Sequence, residues 1–384
     1  MKKKKILIVT ERRADFSRFK PVLDKIKKDK NFKYILVVTG IHLLKKYGYS
    51  FKEIEKTGLK ITKKFPMYTN VSIKEDDGAS MVSAFGKAII ELSKILKKTK
   101  PDIILSGFDI AANFAVTVVG AHMNIPVAHI QGGEVSGTID ESIRHAMSKF
   151  AHYHLVSNKD ASKRLINMGE KKSNVYIVGC PSIEALFNEK SLGKKEIENK
   201  FGLNLSKKFI IVIQHSVTSE IKDTKYQIKK TIEAIKKYNV QTLFICPNND
   251  AGSTLILKEI KKNKNIFHAP TLTLSEYRSL LEKCFVLVGN SSSGIHEASS
   301  FLKPVINIGT RQNGRLRSKN IIDVNYSKEE IFNSLKKLNN KRFYSKLINN
   351  LKNPYYYPNT SSKILKILKK ISIEKKVLQK RITY

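Results

Sequence analysis

The chain has 384 residues, 41% of them hydrophobic, enough to bury a core in each of two domains of ordinary size. Its 71 Lys and Arg against 33 Asp and Glu give a formal charge of +38, and its three cysteines show neither CxxC nor metal-ligand spacing. No apolar run is long enough to span a bilayer, and MKKKKILIVT lacks a signal-peptide core, so the composition excludes a membrane span and a zinc or disulfide framework and points to the cytoplasm.

The elements follow a simple rhythm. Short β-rich runs, KILIVT (5–10), YILVVTG (34–40), DIILSG (102–107), PVAHIQ (126–131), YHLVS (153–157) and VYIVG (175–179), alternate with amphipathic helical segments. Continuous apolar strands separated by helices predict a parallel sheet covered on both faces. After GCPS the rhythm restarts with FIIVIQH (209–215), TLFICP (242–247), FVLVGN (285–290) and PVINIG (304–309). The expected fold is therefore α/β, with two Rossmann-like doubly wound domains: residues 1–180 on the sugar or catalytic side and 181–384 on the nucleotide side. SSKILKILKKISIEKKV, near the carboxyl end, has a helical rhythm that closes the second domain or packs back on the first.

In such sheets the loops at the carboxyl ends of the strands build the ligand crevice. The motifs at those ends carry the chemistry. TERRADFSR places Arg12 and Arg13 at a strand-to-helix turn suited to anions. Asp109 follows DIILSGF. The block AHIQGGEVSGTIDESIRHAMSKFAH (128–152) then concentrates Gln131, Glu134, Asp140, Glu141, His145 and His152 where a strand hands over to a helix. With a helix beginning near Ile139, Asp140 falls in its first turn and Glu141 and His145 stand one turn apart on one face.

In the second half His215 and Asn248 sit in QHSVTSE and ICPNNDAGS. GNSSSGIHEA brings glycine, Ser291 and Ser292 to a helix start, with Glu297 placed to accept ribose hydroxyls. Only 11 of the 71 basic residues are Arg, yet Arg311, Arg315 and Arg317 share the loop GTRQNGRLRS, which reads as a bidentate clamp for phosphate. Together these loops describe a nucleotide-diphosphate site without a P-loop or GxGxxG fingerprint. The large positive charge is not itself a nucleic-acid signal: the lysines are scattered as KK pairs, no aromatic–basic interleaving occurs, and residues 101–160 hold six acids against three bases. Neither nucleic acid nor a membrane is expected as a partner.

TERRAD, TGIHL (39–43), the HIQGGEVSGTIDESIRHAMSKFAH block, PNNDAG, GNSSSGIHEA and IGTRQNGR together resemble the UDP-N-acetylglucosamine 2-epimerase superfamily, in order from about residue 4 to 340. The hydrolysing branch, which supplies sialic and legionaminic-type sugars, is the closer match. The resemblance implies two facing Rossmann-like domains in the glycosyltransferase-B architecture, no metal or redox cofactor, a UDP-N-acetylhexosamine substrate and a homo-oligomer, dimer or tetramer. It places UDP on Ser291, Ser292, Glu297 and the Arg311 loop, with Arg13 reaching in from the first domain, and the sugar beside Asp109, Glu134 and Asp140. Two departures stand out. The family has Asp directly after Gly where this chain reads GFD, and it commonly has Glu where this chain has Gln131. An amide cannot take a proton, so either Glu134 assumes that role or the reaction differs in substrate or outcome. The alternatives are a non-hydrolysing epimerase and a glycosyltransferase of the same fold; a basic nucleic-acid-binding protein is the distant one.

Overall fold

The computed structural model describes residues 3–68, 77–263 and 266–383. The chain divides into two compact units: Met1–Glu134 with Asp140–Ala185 and Tyr355–Tyr384, and Val135–Ile139 with Leu186–Pro354.

The first unit is a seven-stranded parallel sheet in the order β3-β2-β1-β4-β5-β6-β7. Its strands are β1 (Lys4–Thr10), β2 (Phe32–Val38), β3 (Lys63–Lys64), β4 (Ile103–Gly107), β5 (Val127–Ile130), β6 (Tyr153–Val156) and β7 (Val175–Ile177). Because successive side chains point to opposite faces, Ile6 and Ile8 enter one core with Leu36, Val38 and Leu105, while Leu7 and Val9 enter another with Ile35, Val37 and Ile104. Burial on both faces is why these strands read as unbroken apolar runs.

The second unit repeats the plan with six parallel strands in the order β10-β9-β8-β11-β12-β13. These are β8 (Phe209–Ile213), β9 (Gln241–Ile245), β10 (Phe267–Ala269), β11 (Val286–Gly289), β12 (Val305–Ile308) and β13 (Ile321–Val324). Ile210, Val212, Val286, Val288 and Ile306 fill one face and Ile211, Ile213, Leu287 and Val305 the other. In each sheet the order reverses beside the first strand, between β1 and β4 and between β8 and β11, which is where doubly wound sheets open a crevice. All ten expected strands are present; β3, β10 and β13, at or beside sheet edges, are additional.

The carboxyl-terminal segment completes the first unit. Helix Thr360–Lys370 sends Ile364 and Leu368 into the core that also holds Phe16, Phe19 and Leu23 of helix Arg13–Lys28. Lys4 Nζ donates to the Leu368 carbonyl at 3.1 Å, and Lys369 pairs with Asp29. Further on, Thr383 N donates to the Gly169 carbonyl at 3.0 Å. Lys380 Nζ lies 2.7 Å from the buried Glu170, which Lys149 (3.0 Å) and His154 (2.9 Å) also engage. Burial pushes Glu170 up, but His154 and Lys380 outweigh it and hold the carboxyl at about 2. A carboxyl depressed in the folded state contributes stability that is complete above its ordinary value of 4.5 and is lost as pH falls toward 2. In urea unfolding as a function of pH, the wild-type protein therefore loses stability across that window, and Glu170→Gln, less stable at neutral pH, flattens the slope there.

Candidate functional site

In the first unit the site residues are assembled at the carboxyl ends of β4 and β5. Gly107 of β4 pairs with Ile130 of β5, so the two loops leave the sheet side by side. Both leave it in strained backbone: Phe108 and Asp109 have φ of 72° and 46°, and Gln131 has φ of 60°. Left-handed backbone at residues other than glycine costs of order 1–3 kcal/mol each and persists only where the surroundings enforce it.

The enforcement is visible. Asn113, fully buried, accepts from Gly107 N at 3.1 Å and donates to the Val9 carbonyl at 3.2 Å. Glu11, fully buried at the end of β1, accepts from Ala112 N at 2.9 Å and so caps helix Ala111–His122, which begins two residues after Asp109. Phe108 packs edge-on against Phe19, with ring centroids 4.8 Å apart, and the Arg18 guanidinium lies 5.2 Å from its centroid.

Arg144, only 2% exposed, joins the two loops. It projects from helix Ile139–Phe150, donates through Nη1 to the Glu134 carbonyl at 2.7 Å, and forms an ion pair through Nη2 with Asp109. Burial works against its charge, yet Asp109 and Glu134 outweigh that cost and hold the guanidinium above its ordinary range. Glu134, 4% exposed, accepts at Oε1 from Ser157 Oγ at 2.5 Å and from Gln131 Nε2 at 3.1 Å. Asp140, in the first helical turn, belongs to the same electrostatic neighbourhood through Arg144.

The histidines separate from this group. Burial drives His129 down to about 3 and His152 down to about 4, so both are neutral at physiological pH. His152 Nδ1 accepts from Val127 N at 3.1 Å. His145 stands 3.8 Å from Glu141 one turn away, and burial and Arg144 lower it.

In the second unit the loops after β8, β11 and β12 converge on Asn290, which is fully buried. Its side chain accepts from His215 N at 2.7 Å and donates to the His215 carbonyl at 2.9 Å. Its own carbonyl accepts from Gln312 Nε2 at 2.8 Å and Arg311 Nη1 at 3.4 Å. Gly289 before it has φ of 126°, and a Cβ there would collide with the Ile213 carbonyl, so only glycine lets β11 run this close to β8.

His215 Nδ1 accepts from Asn248 N at 3.4 Å. Ser291 caps the five-residue helix Ser292–His296 through Ser293 N at 3.3 Å, and Ser293 Oγ is hydrogen-bonded to Glu297, 6% exposed, and to Tyr277. Burial and the Glu297 charge push the Tyr277 phenol well up, so it remains protonated. Arg315 Nη1 lies 2.7 Å from His296 Nε2, Arg311 Nη2 lies 3.9 Å from Asp250, and Arg317 pairs with Asp323 and the Gln312 carbonyl. The segment Val135–Ile139, between Glu134 and Asp140, packs here: Gly137 N donates to the Arg311 carbonyl at 3.1 Å, and a Cβ on Gly137 would collide with the Thr310 carbonyl.

Asp109, Glu134 and Gln131 are thus gathered around Arg144, and His215, Asn248 and Arg311 around Asn290. Arg13 is held elsewhere in its own unit, in a two-pronged pair with Glu53 (2.7 and 2.5 Å) and a bond to the Tyr47 carbonyl. Sequence reasoning singled out neither Arg144, Glu11 nor Asn290. All three lie inside motifs it quoted, Glu11 in TERRADFSR, Arg144 in the 128–152 block and Asn290 in GNSSSGIHEA, and the scarcity of Arg was the signal that applied to Arg144.

Two parallel sheets whose strand-end loops carry carboxylates in one unit and arginine, serine and amide groups in the other define a doubly wound α/β protein whose polar groups gather where such folds place their ligands. The sequence model of the UDP-N-acetylglucosamine 2-epimerase family matches residues 24–369. The chain is 33% identical over 98% of both chains to the hydrolysing UDP-N,N'-diacetylbacillosamine 2-epimerase of Legionella pneumophila. It is 34% identical, over 89% of both, to the hydrolysing GDP/UDP-N,N'-diacetylbacillosamine 2-epimerase of Campylobacter jejuni. Among solved structures, UDP-GlcNAc 2-epimerase from Neisseria meningitidis bound to UDP-GlcNAc shares the fold with a TM-score of 0.81 at 19% identity, over 96% of this chain and 100% of that one. The chain belongs to the UDP-N-acetylglucosamine 2-epimerase family.

The geometry makes a stability prediction. Asp109→Asn leaves the buried Arg144 guanidinium, whose side chain is 3% exposed, without its ionised partner and costs about 3–5 kcal/mol, whereas Arg144→Met leaves only Asp109, whose side chain is 20% exposed, and costs less. Urea midpoints of the two variants and their double variant check this, with the Asp109 change adding little once Arg144 is gone.

Proposed function

We infer that this enzyme is a hydrolysing nucleotide-sugar 2-epimerase that converts a UDP-linked 2-acetamido hexose into the free 2-epimer and UDP. One observation carries the reading: a single buried arginine ties together the strained loops after β4 and β5, pairing with the Asp109 carboxylate and donating to the backbone carbonyl of Glu134, so that two carboxyl-bearing residues are fixed side by side. A glycosyltransferase needs a nucleotide clamp but has no need for several fixed carboxylates beside the sugar.

The C2 hydrogen of an N-acetylhexosamine is poorly acidic until the C1–O bond to the diphosphate loosens and positive charge grows at C1. In the proposed sequence Glu134 takes the C2 proton while the C1–O electrons leave on UDP, and C1 and C2 become doubly bonded. Water then adds hydroxyl at C1, and C2 receives a proton from the opposite face, giving the free 2-epimer. Asp109 and Asp140 share the acid and water-orienting roles. In the second unit we assign the departing diphosphate and its nucleoside to His215, Asn248, Ser291, Ser292, Glu297, Arg311 and Arg315, where guanidinium groups stabilise the leaving charge. The sugar side falls to the first unit, which the returning residues Tyr355–Tyr384 complete, and the nucleotide side to the second, Leu186–Pro354, and the working form is a cytoplasmic homo-oligomer. An N-acetylmannosamine-type product places the enzyme in sialic-acid-type sugar synthesis.

Proton NMR of the purified protein with UDP-N-acetylglucosamine and with its 2,4-diacetamido-6-deoxy analogue tests this. Free nucleotide and a free manno-configured sugar are expected, with turnover insensitive to chelator. An intact UDP-linked epimer would move the enzyme to the non-hydrolysing branch, and no turnover with any UDP or GDP hexosamine would overturn the reading. The assignments within the site are separable by shape-preserving changes. Glu134→Gln, Asp109→Asn and Asp140→Asn each lower kcat by about 10²-fold or more with nucleotide affinity nearly unchanged, and in D₂O the residual product carries deuterium at C2.

A further inference from the structure

Gln131 occupies a position where an amide is chemically unable to accept the substrate proton, yet it is 4% exposed and fixed at both ends. Its backbone, at φ of 60°, donates from N to the Leu155 carbonyl at 3.0 Å. The side chain lies between Arg18, whose Nη1 is 3.5 Å from Oε1, and Glu134, whose Oε1 is 3.1 Å from Nε2.

The direction of these contacts follows from the inventory of donors and acceptors. A guanidinium can only donate, so the oxygen of Gln131 faces Arg18 and its NH₂ group faces Glu134. Ser157 is constrained in the same way. Asn158 Oδ1 accepts from Ala161 N at 2.8 Å as the cap of helix Lys159–Asn167, so its Nδ2 donates to Ser157 Oγ at 3.1 Å. With its oxygen accepting from Asn158, Ser157 gives its proton to Glu134 Oε1 at 2.5 Å. Both chains of hydrogen bonds therefore end as donors on the same carboxylate oxygen, and donors onto a carboxylate favour its ionised form. A glutamate at 131 would instead set two carboxylates about 3 Å apart, and such a pair shares one proton.

We propose that Gln131 is a positioning residue for Glu134: its amide, oriented by Arg18, holds the Glu134 carboxylate in place and unprotonated, so that the proton-accepting role sits at residue 134 because residue 131 is an amide. This rests on the epimerase reading for its consequence in catalysis, but the hydrogen-bonding claim stands apart from it. Charged and titratable groups on the elements packed around Glu134 include Asp140, Glu141, Arg144, His145 and Lys149 of helix Ile139–Phe150, Asp109 of the β4 loop, Arg18 of helix Arg13–Lys28, and Arg164 of helix Lys159–Asn167, which pairs with Asp160 and whose Nη1 donates to the Gly133 carbonyl at 2.7 Å. None of them changes in the variants that test the idea.

The test pairs a direct titration with a kinetic one. Protein labelled with ¹³C at the glutamate carboxyl carbon is titrated by NMR, the Glu134 signal being the one missing in Glu134→Gln. Gln131→Met, which keeps the length but removes the donor, raises the Glu134 midpoint, and Gln131→Glu raises it further, by about one pH unit or more. In the pH profile of kcat/KM the acid limb moves in the same order, with kcat at neutral pH lowered about tenfold in Gln131→Met and KM little changed. A Glu134 midpoint unmoved in Gln131→Met, or a Gln131→Glu enzyme faster than wild type with its acid limb in place, overturns the proposal. If the midpoints move as expected while no nucleotide sugar is turned over by the wild-type protein, the positioning role stands and the epimerase reading fails.

Discussion

The arrangement of the first unit's site turns on one buried guanidinium. Taking Arg144 out of water costs several kcal/mol, and that cost is recovered only because an ionised carboxylate and a backbone carbonyl meet it with good geometry. In return the arginine reaches both strained loops, at Asp109 after β4 and at Glu134 after β5, from a third element, the helix Ile139–Phe150. Remove the charge and Asp109 loses this buried counter-ion, while the Glu134 carbonyl loses the guanidinium's donor. The hydrophobic cores hold the sheets, while this contact ties the Asp109 carboxylate to the backbone of Glu134, whose own carboxyl is held by Ser157 and Gln131.

The second unit reaches a comparable end with a neutral group. Asn290 ties β11 to β8 by donating to and accepting from the backbone of His215, and its carbonyl receives Gln312 and Arg311 from the loop after β12. An amide suits this task because it offers a donor and an acceptor from one planar group and adds no net charge beside Arg311. The two units thus use the same sheet plan with opposite polar chemistry at the strand ends.

Much of this was legible in the sequence, for reasons particular to each element. Strands such as KILIVT and FIIVIQH announce themselves because both faces are buried and the apolar run is continuous. β3 is two lysines, β10 is FHA and β13 is IIDV, segments too short or too mixed to stand out from loops. The motifs at the strand ends were readable as clusters, since polar groups after a buried strand need a reason. Their internal division of labour was not. Arg144 lies in SIRHAMSKF, where a charged residue in an amphipathic helix reads as solvated, and only tertiary packing shows it to be buried. Arg13 and Arg317, scarce arginines in motifs suited to anions, each hold a local carboxylate in this structure, Glu53 and Asp323. Scarcity marks an arginine as purposeful without saying whether its partner is a ligand or the protein itself.

The return of residues 355–384 to the first unit bears on how the molecule comes into being. Ribosomes deliver a chain from its amino end, and units made of contiguous sequence can fold as they emerge. The first unit cannot be finished in that order. Ile364 and Leu368, which cover Phe19 and Leu23, and Lys380, which meets Glu170, arrive only after the whole second unit has been synthesised. Until then the apolar core that helix Arg13–Lys28 forms on the sheet stays only partly covered, closing a loop of nearly the full chain length is entropically slow, and the nascent protein is open to chaperones and to aggregation during that interval.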